Sequence, residues 1–285
     1  MIAERNKKIN YHPLTATPFK RNHTYMELVP CAALHSYIRC YWGTENPVMQ
    51  AETDGILQIV IPDTCVDIIY HVDYTENTVT GGFCGVNDSS FFSHSREVAG
   101  HTVATFAIRF YAWSAYAFAD DSLKSTINGF FDVGSRFEWL DKIIRPRLLE
   151  LKTLQEMASF VEKLLLKRLF LVRENPAVNS TIQNILINKG SLDVSNLAKE
   201  SFVSTRQLER LFHEYVGITP KKLSNLIRYQ FLWRDVLNEP HFEVLSAVHK
   251  YGYTDQSHLL REFKRYHSMD IHKAKAVAFN DKGIL

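Results

Sequence analysis

The sequence predicts an α+β chain of more than one domain: a small β-sandwich or barrel toward the N-terminus, a helical connector, and an all-α C-terminal region built from two helix-turn-helix units. Three observations carry this. Short β-branched and aromatic runs broken by Gly, Pro, Asp and Asn fill the stretch from Ile56 to about Val133. Apolar residues then recur at three- or four-residue steps between Phe137 and Leu171. Last, the pattern L-x-R-x-F-x-x-Y occurs at Leu208, Arg210, Phe212 and Tyr215, and returns 51 residues on at Leu259, Arg261, Phe263 and Tyr266. Two copies of one small helical unit suit a device that grips a long periodic partner at two points, and double-stranded DNA is the obvious candidate.

At 285 residues and 46% hydrophobic, the chain can bury two modest cores. We expect a first domain over residues 1–135, a connector over 136–175 and a C-terminal domain over 176–285. Charge divides the same way: from residue 176 onward there are 15 Lys and Arg against 11 Asp and Glu, and before it 18 against 20. The C-terminal part is the more basic, as nucleic-acid binding asks. No run approaches the roughly 18 apolar residues of a membrane helix, and MIAERNKKINYHPL has no apolar secretion segment, so a soluble cytoplasmic protein without a membrane partner is expected. Cys31, Cys40, Cys65 and Cys84 show no C-x-x-C spacing and read as free thiols, with a thiol sensor as the lesser alternative.

In the N-terminal part, the runs Ile56–Pro62, Cys65–Tyr70, Thr78–Phe83 and Val103–Phe110 read as strands. Asp63, Asp67 and Arg109 sit among apolar residues, where a charge needs a partner. A pair of Arg109 with Asp67 or Asp63 is either a structural staple or the polar hook for a small-molecule effector. Trp42, Tyr70, Phe83 and Phe106 are candidate walls of an effector pocket, with plain core as the alternative. No H-x-H pair occurs, and the nearest substitute, His94, Glu97 and His101, does not form a convergent ligand set. Neither a metal nor another cofactor is expected.

Between Phe137 and Leu171 the stripe Leu151, Leu154, Ala158, Val161, Leu165 and Leu169 could pack on the barrel or pair with a second subunit. A homodimer is favoured, since two subunits on neighbouring half-sites gain effective concentration. Pro146 should start a helix near Arg147 or kink a longer one.

For the first C-terminal copy, Ser204 followed by Gln207 is a capping-box signature, so a helix should begin at Ser204. Leu208, Leu211, Phe212 and Tyr215 form its apolar back, while Arg206, Glu209, Arg210 and His213 lie opposite. A short helix carrying Val194, Leu197 and Ala198 precedes it, separated by a tight turn. Phe202 occupies the turn position where Gly is usual, so either the turn differs or Phe202 bears strain. In the second copy Ala247 and Val248 lie on the first helix, Gly252 takes the turn and Asp255 the cap. The second helix packs Leu259, Phe263 and Tyr266 and presents Gln256, Ser257, Arg261 and Lys264, with Leu260 beside them. Thr219-Pro220 opens a long helix through Asn238, stopped by Glu239-Pro240, whose roughly 27 Å could hold two reading helices about one DNA turn apart.

The last hundred or so residues resemble the DNA-binding region of the AraC/XylS family of bacterial transcription regulators. The markers are L-x-R-x-F in each half, G-I-T-P at Gly217 to Pro220, and Y-G-Y-T-D-Q-S-H-L at Tyr251 to Leu259. The resemblance implies an operator read in successive major grooves and RNA polymerase as a further partner. It places Ser204, Thr205, Arg206, Gln207, Glu209 and Arg210 on DNA in the first unit, and Gln256, Ser257, Arg261, Lys264 and Arg265 in the second. Arg206, Arg210 and Arg261 can fork onto guanine, Gln256 onto adenine, and Glu209 can accept from cytosine. Lys221, Lys222, Lys264 and Arg265 suit phosphates. The second unit has Ser268-Met269-Asp270-Ile271 in place of G-x-T-P, which puts its C-terminal edge in doubt. The stretch I-P-D-T-C-V-D-I-I-Y with A-I-R-F resembles the cupin-like N-terminal domain attached to one subgroup of such regulators, which implies a sensor.

The expected function is therefore a sequence-specific transcription regulator, activator or repressor, controlled by an effector in the N-terminal domain. Its rival is a ligand-independent regulator governed by a protein partner or by abundance. An enzyme fused to a DNA-binding tail lacks a catalytic constellation, and a repair methyltransferase would want an activated cysteine that neither Cys65 nor Cys84 supplies.

Overall fold

The computed structural model describes residues 11–19, 24–50, 57–94 and 98–279. Ile56 and Glu97 lie outside them. The strands are β1 (Tyr25–Leu28), β2 (Ile38–Thr44), β3 (Val48–Met49), β4 (Leu57–Val60), β5 (Cys65–Asp73), β6 (Thr78–Cys84), β7 (Phe91–His94), β8 (Thr102–Tyr111) and β9 (Phe130–Asp132). Among the described residues they form a seven-stranded antiparallel sheet ordered β1-β2-β8-β5-β6-β9, with β3 beside β8, and a two-stranded sheet β4-β7. The four runs read from sequence correspond to β4, β5, β6 and β8. β1 to β3 fall before Ile56, where no strand was expected.

Register shows how the sheet divides its chemistry. Residues directly opposite in antiparallel strands share a face. Tyr41, Ile108, Ile68 and Phe83 form one such row and are all fully buried. The next row, on the other face, is Cys40, Arg109, Asp67 and Cys84.

Helices cover the apolar face. In α1 (Gly134–Ile144), Phe137 stacks on Phe110 at 6.1 Å and meets Phe83 at 5.1 Å, and Asp141 accepts from Tyr70 Oη at 3.0 Å. Pro146 lies in a 3₁₀ turn, Arg145–Arg147, that ends α1 rather than starting a helix. After it, α2 (Leu154–Arg168) opens with a complete capping box between Thr153 and Glu156. Leu154, Ala158, Val161 and Leu165 are buried, and the helix packs against β1 and β2. The apolar stripe thus takes the first of its two expected roles, packing within the chain, with Leu154, Val161 and Leu165 worth about 1.5–3 kcal/mol each.

The C-terminal region consists of α3 (Pro176–Ile187), α4 (Val194–Glu200), α5 (Thr205–Tyr215), α6 (Pro220–Asn238), α7 (Val244–Tyr251), α8 (Gln256–His267) and α9 (Ile271–Phe279). Side-chain caps at Asn175, Asp193, Ser204, Thr219 and Asp255 define five of the starts. Each satisfies an otherwise orphaned N–H and contributes about 1 kcal/mol. The central helix α6 is more than a spacer: Gln230 donates to Pro62 O at 3.1 Å and accepts from Leu14 N at 2.7 Å, and Trp233 Nε1 donates to Thr15 O at 3.0 Å. Both halves of the chain share one continuous apolar core.

Candidate nucleic-acid interface

α5 forms because its start is capped, Ser204 Oγ accepting from Gln207 N at 3.2 Å, and because one side is apolar. Leu208, Leu211 and Phe212 are buried, whereas Thr205, Arg206, Gln207, Glu209 and Arg210 are exposed on the other side. Tyr215 completes the back, half-buried with its ring 4.1 Å from Tyr116. Arg210 makes only a long ion pair with Glu214, at 3.8 Å, and so stays available.

α8 repeats the arrangement. Asp255 Oδ1 caps His258 N at 2.7 Å; Leu259, Phe263 and Tyr266 are buried; Gln256, Ser257, Arg261 and Lys264 are exposed. Leu260 is exposed beside them. Arg261 Nε donates weakly to Ser257 O at 3.3 Å, while Arg265 lies over the Tyr266 ring at 4.5 Å and donates to its hydroxyl at 2.8 Å.

The two turns differ in one respect that sequence spacing hides. Val203 N donates to Ala198 O at 3.1 Å, and Tyr253 N donates to Val248 O at 3.0 Å, so Phe202 and Gly252 are equivalent. Thr254 is then one extra residue before the second cap. Gly252 has φ +65°, and Phe202 adopts the same left-handed conformation at φ +56° with its ring 95% exposed. The turn keeps its shape and Phe202 bears the strain. Phe202→Gly is expected to raise stability by about 1 kcal/mol, read as a higher denaturant midpoint. An unchanged or lower midpoint would count against strain at this turn.

The doubtful edge of the second unit proves regular. Ser268 takes the left-handed position that Gly217 holds in the first unit, at φ +58° against +83°. Met269 is buried like Ile218, and Asp270 Oδ1 accepts from Lys273 N at 2.9 Å as Thr219 Oγ1 accepts from Lys222 N at 3.2 Å. Ser268-Met269-Asp270-Ile271 therefore replaces G-I-T-P in chemistry and preserves it in shape, and the repeat extends into α9.

Several groups that sequence reading missed fix the second unit to α6. Arg228 donates to both oxygens of Glu262, at 2.9 and 3.1 Å, and Tyr253 Oη donates to the same carboxylate at 2.8 Å. The two charged side chains are only 7% and 9% exposed, and the guanidinium lies 4.2 Å from the Tyr253 ring centre. His267 is fully buried, hydrogen-bonded to Tyr229 Oη at 2.8 Å and stacked on Phe263 at 5.1 Å; burial pushes its imidazole down to about 3. The available signal was position: Glu262 falls within the apolar stripe of α8, where the first unit has Leu211.

The N-terminal half touches the far ends of both reading helices. Leu123 N donates to Glu214 O at 2.9 Å, and Ser90 and Ser268 share a hydroxyl hydrogen bond. Lys222, expected on a phosphate, donates instead to Asp88 at 2.7 Å, and Asn128 Nδ2 donates to the same carboxylate group at 2.7 Å.

The residues nominated for an effector separate. Tyr70, Phe83 and Phe106 are fully buried on the helix-covered face. Trp42, Asp67 and Arg109 lie on the other face, where Asp67 accepts from Trp42 Nε1 at 2.8 Å and from Arg109 Nε at 2.9 Å and Nη2 at 3.1 Å. Asp63 stands 3.7 Å from Arg109 Nη1 and caps Cys65 N at 2.8 Å; burial pushes its carboxyl up. Burial likewise raises the thiols, Cys40 to about 12 and Cys84 to about 11, with Cys65 also well up, so these are protonated and poor nucleophiles. His101 pairs with Asp73 at 2.6 Å.

Comparison with known proteins locates two regions. Residues 26–131 match a domain of unknown function, DUF6597, and residues 197–275 match a helix-turn-helix domain. No curated protein matches the chain. Among solved structures, a transcriptional regulator of Chromobacterium violaceum described as having an AraC-type DNA-binding domain is 20% identical, covering 37% of this chain and 94% of its own, with a TM-score of 0.34. ToxT of Vibrio cholerae O395 is 12% identical over 86% of this chain and 99% of its own, at 0.39. ToxT of strain SCE256, solved with an unsaturated fatty acid bound, is 11% identical over 82% and 94%, at 0.37. Similarity at this level carries no weight beside the geometry. With two capped helix-turn-helix units in one repeat and the family match across them, residues 197–275 are a helix-turn-helix domain.

Proposed function

We propose that the protein is a sequence-specific transcription regulator that reads DNA with α5 and α8 in successive major grooves. The observation that carries this is the repetition of one solution: each helix is capped, buried along its back, and bare along a front bearing Arg206 and Arg210 or Gln256 and Arg261. The bidentate guanidinium groups supply base discrimination, and Lys264, Arg265 and Lys221 supply phosphate contacts. We divide the chain into residues 1–135, a connector over 136–175 and the reading domain over 176–285, in a soluble regulator with RNA polymerase as a further partner.

A binding selection on genomic fragments with full-length protein should recover a motif with two blocks about one helical turn apart. Arg261→Ala should then cost about 1–3 kcal/mol on the recovered site and relax one base position. An unaltered preference in the variant would remove Arg261 from the contact set.

We read the Arg109 cluster as a staple of the sheet. Both Asp67 oxygens and the Trp42 N–H are already partnered, which leaves an effector little unmet demand there. A homodimer would have to use a surface other than the α2 stripe.

A further inference from the structure

The two reading helices are not chemical copies. In α5 the shared leucine, Leu208, is followed by Glu209-Arg210-Leu211, and in α8 the equivalent Leu259 is followed by Leu260-Arg261-Glu262. The arginine keeps its place while glutamate and leucine exchange. The two exchanged positions lie on opposite sides of the helix. In α5 Glu209 is exposed and Leu211 is buried, whereas in α8 Glu262 turns inward to the Arg228 guanidinium and Leu260 stands on the front, 42% exposed. The inward half of the exchange thus has its partner within the chain, and the outward half sets a leucine among the reading residues.

Helical geometry fixes its neighbours. Residues three and four apart share a face, so Leu260 lies between Gln256 and Ser257 on one side and Lys264 on the other, all of them exposed. A leucine there offers a base edge apolar contact and nothing else, and the apolar group that the major groove presents is the C5-methyl of thymine. Gln256 suits adenine, which shows a donor and an acceptor side by side. The first helix carries the opposite set. Arg206 and Arg210 suit guanine, and Glu209, which holds in α5 the position of Leu260, suits the amino group of cytosine.

We propose that Leu260 is a specificity-determining residue that packs on the methyl of a thymine, and that the operator is therefore lopsided, with G·C pairs under α5 and A·T pairs beside the Arg261 contact under α8. The inference rests on the DNA reading proposed above and names the kind of site that reading requires. Four residues of helix rise about 6 Å and a base-pair step is about 3.4 Å, so the thymine should fall within about two steps of the adenine taken by Gln256.

The test replaces each thymine of the site recovered by genomic selection, one at a time, with deoxyuridine, which pairs identically and lacks only the methyl. Full-length protein at fixed salt should bind one of these duplexes about fourfold more weakly, the worth of a single buried methyl group, as read by fluorescence anisotropy. That position should lie in the block where Arg261→Ala relaxes a base. Leu260→Ala should bind the thymine and deoxyuridine forms equally, and its urea midpoint should stay near the parent's because the side chain it loses stands on the exposed front. Leu260→Glu, which gives α8 the residue of the first unit, should turn the preference at that position from thymine to cytosine in a repeated selection. Failure to recover any motif would remove the DNA reading and this inference together. With a motif in hand, a parent indifferent to every replacement, or losses that all persist in Leu260→Ala, would overturn the inference alone.

Discussion

Arg228→Ala should destabilise the protein by about 3–5 kcal/mol, the cost of leaving a buried carboxylate without its partner. The Glu262 side chain is 9% exposed, and among the described residues its other hydrogen-bond partner besides Arg228 is the Tyr253 hydroxyl, so removing the guanidinium strands a charge that has little access to water. Glu262→Ala should cost a similar amount by stranding Arg228. The double change to Met and Leu should recover most of the loss, because an apolar pair needs no desolvation to be repaid. Urea denaturation of the three variants decides it. Losses under about 1 kcal/mol in both single variants would mean that the pair is hydrated, as surface ion pairs are. A double variant as unstable as the singles would show that the pair fixes geometry rather than merely satisfying itself.

Acidification below pH 6.5 should weaken the fold through His267. In the unfolded chain its imidazole takes a proton near its ordinary value of 6.5, whereas the buried ring resists until about 3. Between those values the unfolded state binds the extra proton, so stability is fully present above pH 6.5 and falls as pH drops toward 3, with a slope of up to about 1.4 kcal/mol per pH unit. The cause is desolvation among Trp233, Phe263 and Tyr229. His267→Phe removes the titration, so urea midpoints at pH 7, 6 and 5 should fall less steeply in the variant than in the parent. Parallel curves would show that the ring is solvated in the folded state.

The reading helices were legible because their signals are local. Caps at Ser204 and Asp255, and apolar residues at three- and four-residue steps, are set within one helix and need no knowledge of the rest. β5 and β8 were legible for the same reason. β2 was not: its register shifts between Ile38 and Cys40, so Arg39 breaks the alternation by which a strand is recognised. Face assignment failed differently. Tyr70 and Trp42 look alike in sequence as candidate pocket aromatics, and only the register, which depends on distant pairings, puts Tyr70 under α1 and Trp42 beside Arg109. The α2 stripe shows the same gap between pattern and partner, since periodicity states that a face is apolar and leaves open what covers it. The Arg228–Glu262 pair joins residues 34 positions apart, and no local rule links them.

The contact between Asp88 and Lys222 has a thermodynamic consequence. A carboxylate seated on that ammonium offers it the same kind of partner that a DNA phosphate would, so on the phosphate role expected of Lys222 from the sequence the strand-rich half and the double helix are rivals for one cation. Rivalry of this kind is reciprocal. Any event that lifts Asp88 away would tighten DNA by some factor, and bound DNA would loosen the hold of Asp88 by that same factor.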